Sequence, residues 1–167
     1  MSSIRWSDLQ SLTTLDDMIA RVNASLDRSI VVDTARELAM NVAPARDSWR
    51  QALGLRNWLG IVWRFVDDPA GKEKLRDPDE MIQEYHRLGF ITGDCDEVAI
   101  LGAAMAKAIG LEAMFTVYAW PDPASGTDFY SHVFATVLTP DGRSLSLDVT
   151  KPAGSVPSPT RELTVEV

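Results

Sequence analysis

Apolar residues recur every three or four positions from Ser7 to Leu26, at Leu9, Leu12, Leu15, Met18, Ile19 and Val22. That spacing predicts an amphipathic helix whose solvated side carries Asp8, Asp16, Asp17 and Arg21. A second, shorter helix is predicted from Asp33 to Met40, with Asp33 as cap and Pro44 marking its end. The longest periodic stretch runs from Asp47 to Val66 and lines up Trp49, Ala52, Leu55, Trp58, Leu59, Val62 and Phe65. Trp49, Trp58 and Trp63 invite a ligand-box reading, but aromatics at helical spacing are expected to be core. Gly54 and Gly60 weaken that helix and leave room for another element to approach closely. Asp67-Asp68-Pro69-Ala70-Gly71 should break it.

Asp77-Pro78-Asp79-Glu80 then opens a helix that should end near Arg87, before Gly89, with carboxylates at its positive end. Its His86 reads as an ordinary helix-end residue. The next helix follows Gly93, with Asp94 as cap, Glu97 completing an acidic capping box, and Val98, Leu101, Gly102, Met105 and Ile109 as the buried stripe. Ala103, Ala104, Ala106 and Ala108 put small residues on nearly every side, so other elements should surround it. From Glu112 onward the period shortens to that of strands: Glu112–Trp120, Ser131–Leu138 and Arg143–Val149, the last two joined by a turn at Thr139-Pro140-Asp141-Gly142. A Pro-, Ser- and Gly-rich loop over 151–160 leads to a short strand near Leu163–Val167. Helices followed by a run of strands make an α+β fold.

With 167 residues, of which 46% are hydrophobic, the chain can build one domain with a real core. Sixteen Lys and Arg against 24 Asp and Glu give a net charge of -8, which repels nucleic acid and anionic membrane surfaces. The first residues lack the pattern of a signal peptide, and nowhere do about eighteen apolar residues follow one another. A soluble protein in a reducing compartment is the expectation, since the single cysteine allows no internal disulfide.

That cysteine, Cys95, sits where the glycine turn meets the first turn of the buried helix, where free amides and the helix dipole favour a thiolate. A hairpin closed at Thr139–Gly142 sets Leu138 opposite Arg143 and so puts His132 level with Val149. A one-residue bulge would then make His132 and Asp148 neighbours on one face. In such a pair the carboxylate fixes the imidazole tautomer, and the other ring nitrogen can take a thiol proton. Asp94 and Asp96 oppose thiolate formation. They read better as caps with side chains turned away than as metal ligands, because no third ligand clusters with them. No metal or other cofactor is expected.

The hairpin does not place His132 beside Cys95; a resemblance does. Gly93-Asp94-Cys95-Asp96-Glu97 before an apolar helix, Ser131-His132-Val133 opening a strand, and Leu147-Asp148-Val149-Thr150 resemble the blocks of the transglutaminase-like cysteine protease superfamily. The likeness spans about Val62 to Thr150. Asp68-Pro69 and Leu75-Arg76-Asp77-Pro78 are similar to its small bacterial and prophage-encoded members. Val149 stands where the family often has proline or alanine, and Gly102 where it often has Leu or Ala.

The resemblance implies a papain/transglutaminase-like core over 47–167, with the cysteine's helix packed on a small antiparallel sheet and a helical extension, 1–46, packed on the core. It implies Cys95 as nucleophile, His132 as general base then acid, and Asp148 as the orienting carboxylate. The expected reaction is acyl transfer on amide or peptide bonds, by hydrolysis or transamidation, with a peptide or protein substrate. The Cys95 amide and, as second donor, Trp63 are candidates for holding the oxyanion. Trp120, Phe129 and Tyr130 are either the lip of a substrate groove or ordinary strand-end aromatics. The competing expectation is a non-catalytic structural or assembly protein that keeps the fold, with a virion or assembly partner. The corresponding locations are the cytoplasm or a phage particle.

Overall fold

The computed structural model describes residues 6–43, 47–68, 74–151 and 155–167, with side chains from Leu12 onward. Pro44, Pro69, Ala70, Gly71 and part of the loop expected over 151–160 lie outside the described residues. Helix α1 (Trp6–Ser25) buries Leu15, Met18 and Val22 as its spacing requires. Helix α2 (Ser29–Val42) begins four residues before the expected Asp33 and has no side-chain cap at Arg28. Packing accounts for the difference: Val31 is fully buried with Ala35, so the first turn is held by its apolar face rather than by a cap.

Helix α3 (Ser48–Val62) starts at the predicted cap, where the Asp47 carboxylate accepts from the Arg50 amide at 3.0 Å. Its stripe is buried only in the middle. Trp49 lies at the rim with the Arg143 guanidinium 4.4 Å over its ring, and Phe65 is 49% exposed. Trp58, by contrast, is buried and meets Tyr85 edge-on. Of the two glycines, Gly54 does admit a neighbour: a Cβ there would fall 2.7 Å from Val42 Cγ1. The helix ends at Val62 rather than Val66 because the next residues form strand β1 (Trp63–Phe65), which has no sequence signal of its own.

Helix α4 (Pro78–Leu88) runs as predicted, from Asp77 to Gly89 in the left-handed conformation at φ 79°. Strand β2 (Ile91–Gly93) follows and pairs in parallel with β1. Next is α5 (Cys95–Ala108), buried at every position from Glu97 to Ala106. Strands β3 (Glu112–Pro121), β4 (Asp128–Leu138), β5 (Ser144–Ser146) and β6 (Arg161–Glu166) form an antiparallel sheet in the order β5-β4-β3-β6. Alternate residues Ala113, Phe115, Val117, Val133, Ala135 and Val137 join α5 in one core, which also takes in Leu15, Met18, Val22, Val31 and Ala35 from α1 and α2. This is an α+β arrangement in which helices precede a small antiparallel sheet and one helix is packed on it.

The hairpin register differs from the expected one. Leu138 faces Ser144, not Arg143, because the connection is five residues long, closed by Thr139 N donating to Arg143 O at 2.9 Å. That single step pairs even with even positions, so His132 and Asp148 share a face without a bulge between β4 and β5. The bulge falls on the other side of β4, where Ser131 is the extra residue between the pairs Tyr118–His132 and Ala119–Tyr130. The returning strand is also shorter than Arg143–Val149, ending at Ser146.

Candidate active site

Cys95 is the first residue of α5. Asp94 caps this helix, its carboxylate accepting from the Asp96 amide at 3.1 Å, while Glu97 reaches back to the Asp94 amide at 3.3 Å. The Cys95 amide is the first-turn donor that this cap does not take. Beneath the turn lies a cluster that the sequence reading missed. Arg76 donates to Glu97, to the Thr92 carbonyl and, at 2.6 Å, to Glu84, which also accepts from Thr92 Oγ1 at 2.9 Å. Glu97 is 3% exposed, so the guanidinium supplies the charge its burial demands. Burial pushes Glu84 up, but hydrogen bonds from Arg76 and Thr92 prevail and hold it below the usual range. Nothing in the spacing links Arg76 to Glu97; the one local hint is an acid at the edge of an apolar run.

His132 is 3% exposed, and its Nε2 lies 2.6 Å from Asp148 Oδ2. The other carboxylate oxygen accepts from the Thr150 amide at 2.9 Å and its hydroxyl at 2.7 Å, a local turn that Asp148-Val149-Thr150 spells out. Burial opposes ionisation of Asp148, but the bonds from His132 and Thr150 outweigh it and lower its pKa. The backbone amide of Val133, the residue after His132, works to lower the pKa of the Cys95 thiol. β5 ends at Ser146, three residues short of the position opposite Val133, and beyond it Leu147 N still donates to Ala135 O at 2.8 Å.

The thiol is not the low-pKa group that its helix-terminal position suggested. Burial, then the charge of Asp96, and further Asp94, push it up to about 12, against the Val133 amide. Asp96 is not turned away as expected: its Oδ1 lies 3.4 Å from the sulfur and takes the S–H bond. Donor atoms of Asp94, Cys95 and Asp96 lie within 4.8 Å of one another, the sulfur being the third ligand the sequence reading did not count. Asp94 is itself raised, by burial and then by Glu97 and Asp68.

Trp63 is buried and donates its indole N–H to Gly93 O at 3.2 Å, bracing the turn before Cys95. Trp120 donates to Pro157 O at 3.3 Å and stands edge-on to Tyr118. Tyr130 packs against the core under the Arg161 guanidinium, and Phe129 is 43% exposed. His86 sits 3.5 Å from Thr34 Oγ1, at the contact of α4 with α2.

The helix that Cys95 opens packs against β4, which carries His132, while Asp148 follows β5. The core model of the transglutaminase-like superfamily matches residues 35–149, and the chain belongs to that superfamily. A crystal structure of a candidate protease from Parabacteroides distasonis ATCC 8503 is similar in fold, with a TM-score of 0.58 and 15% sequence identity over 89% of this chain. This chain spans 28% of that protein's length. No curated protein is significantly similar. Among the described residues no helix is long and apolar enough to cross a membrane.

Proposed function

We propose that the protein transfers acyl groups from amide or peptide bonds through Cys95, with His132 as proton acceptor then donor and Asp148 as its orienting carboxylate. The observation that carries this reading is the 2.6 Å contact between His132 Nε2 and Asp148, on a sheet whose His132 strand packs against the helix that Cys95 opens. In the resting site the thiol holds its proton, so attack and deprotonation are concerted: as sulfur bonds to the carbonyl carbon, its proton passes to His132 Nδ1. Asp148 steadies the imidazolium that results. The tetrahedral oxygen takes the Cys95 amide, and Trp63 serves as second donor by exchanging its bond to Gly93 for one to the oxyanion. Collapse breaks the C–N bond, and the departing amine takes the proton from His132. Water or an amine then resolves the thioester. Trp120, Phe129 and Tyr130 line the approach, and residues 1–46 serve as a helical extension to a core domain over 47–167.

The test is turnover of a broad peptide-amide library, with a fluorescent amine as alternative acceptor. Wild-type activity that disappears in Cys95→Ala, His132→Ala and Asp148→Asn supports the reading; equal behaviour of wild type and Cys95→Ala refutes it. The elevated thiol pKa favours a second reading, a non-catalytic structural or assembly role, for instance within a phage particle. Under that reading no library member is turned over.

A further inference from the structure

Behind Asp148, a groove of about 450 Å³ runs between α3 and the segment after β5. Arg56, Asn57, Gly60 and Ile61 form one wall; Val149 and Lys151 continue the other from Asp148. Its chemistry is mixed in a specific way. Ile61 is 71% exposed and presents an apolar edge. Among the described residues neither Arg56 nor Lys151 forms an ion pair, and Arg56 Nε is buried without a hydrogen-bond acceptor. A buried guanidinium N–H without an acceptor is costly, and a carboxylate is its natural partner. The acid in the groove wall does not fill that role, because both Asp148 oxygens are already engaged by His132 and Thr150. Arg56 and Lys151 thus stand in a groove whose one acid, Asp148, is already engaged.

The geometry points to this groove as a subsite for a carboxylate carried by the peptide substrate, an acidic side chain or the chain terminus, with an apolar neighbour against Ile61 and Val149. The inference rests on the proposed acyl-transfer reading for its orientation, since Asp148 belongs to both. Gly60 keeps the floor low. A Cβ there would lie 3.8 Å from Val149 Cγ1, in ordinary contact, so a side chain can start from this position without overlap. Lys151 also stands 5.8 Å from the centre of the Trp120 ring, which connects the groove to the aromatics before His132.

The experiment measures binding, not turnover. Fluorescein-labelled hexapeptides are titrated into Cys95→Ala protein by anisotropy as matched twins: Glu against Gln at each position, and free against amidated C-terminus. The expected result is at least one carboxylate probe bound about tenfold more tightly than its amide twin. Arg56→Gln and Lys151→Gln should each erase that difference, and Gly60→Leu should weaken both twins. The position of the preferred Glu, or preference for the free terminus, tells the two carboxylate sources apart. Lys151 is exposed, so its variant remains informative if Arg56→Gln does not fold. Equal affinities for all twins, or a difference that survives both charge variants, overturns the subsite. The acyl-transfer reading fails separately, if wild-type protein does not cleave the probes that Cys95→Ala binds.

Discussion

Cys95 illustrates how a single side chain is governed by competing short-range effects. Its place at a helix start favours the anion, yet burial and the carboxylates of Asp96 and Asp94 outweigh the helix and the Val133 amide. Asp96→Asn removes the largest opposing charge, so the thiol pKa should fall and alkylation by iodoacetamide at pH 8 should quicken several-fold. In wild type the rate should climb through pH 10 without a plateau, which a pH–rate series will read. Asp148 carries the opposite shift. Because its folded pKa lies below the unfolded value of about 4, its stabilisation is complete above that value and is lost as pH falls through the folded pKa. Asp148→Asn should therefore lower stability at pH 7, and the gap from wild type should close in acid unfolding curves below about pH 4.

At the scale of elements, the turn between β2 and α5 is held from below. Arg76, Glu84 and Glu97 have side chains only 15%, 13% and 4% exposed. Arg76→Met leaves two acids without their counter-charge, and urea unfolding should record a loss of about 3–5 kcal/mol. Adding Glu97→Gln should restore part of it, whereas independent sites would show additive losses. Gly93 is the other constraint on this turn. At φ 157°, a Cβ would overlap the Glu97 carboxylate and come within 2.9 Å of Trp63 Cζ2. Gly93→Ala should thus destabilise by about 2 kcal/mol or more and misplace the thiol, seen as an altered alkylation rate in still-folded protein.

Across the whole molecule, the site depends on how the helix layer meets the sheet. Gly102 stands in the middle of α5 where Leu147 Cδ1 would be 3.0 Å and Leu59 Cδ1 3.4 Å from a Cβ. This accounts for glycine where the resemblance led one to expect Leu or Ala: Leu147, fully buried, already fills that space. Since Leu147 immediately precedes Asp148, Gly102→Leu should push the carboxylate out of line. The expected outcome is a stability loss of about 1–3 kcal/mol, with a loss of any Cys95-dependent turnover larger than unfolding explains. Leu15, Met18 and Val22 share this same core, so α1 supports the layer from behind.

Much of this was legible because it is local. The α1 and α3 stripes, the Asp77 and Asp94 caps and the Gly89 stop all arise within a few residues, where period and capping chemistry act directly. Stretches with weaker local signals were misread or missed: α2 begins where its apolar face finds the core, and β1 and β2 exist only because they pair with each other. By itself, the sequence determined that a lone thiol opens a buried helix and that a histidine and an aspartate flank one hairpin. The tertiary structure alone decided the register that joins His132 to Asp148, the burial that raises the Cys95 thiol, and the Arg76 cluster beneath the turn. The reason is that pairing register, desolvation and charge compensation depend on partners far apart in the chain, and no spacing between neighbours encodes them.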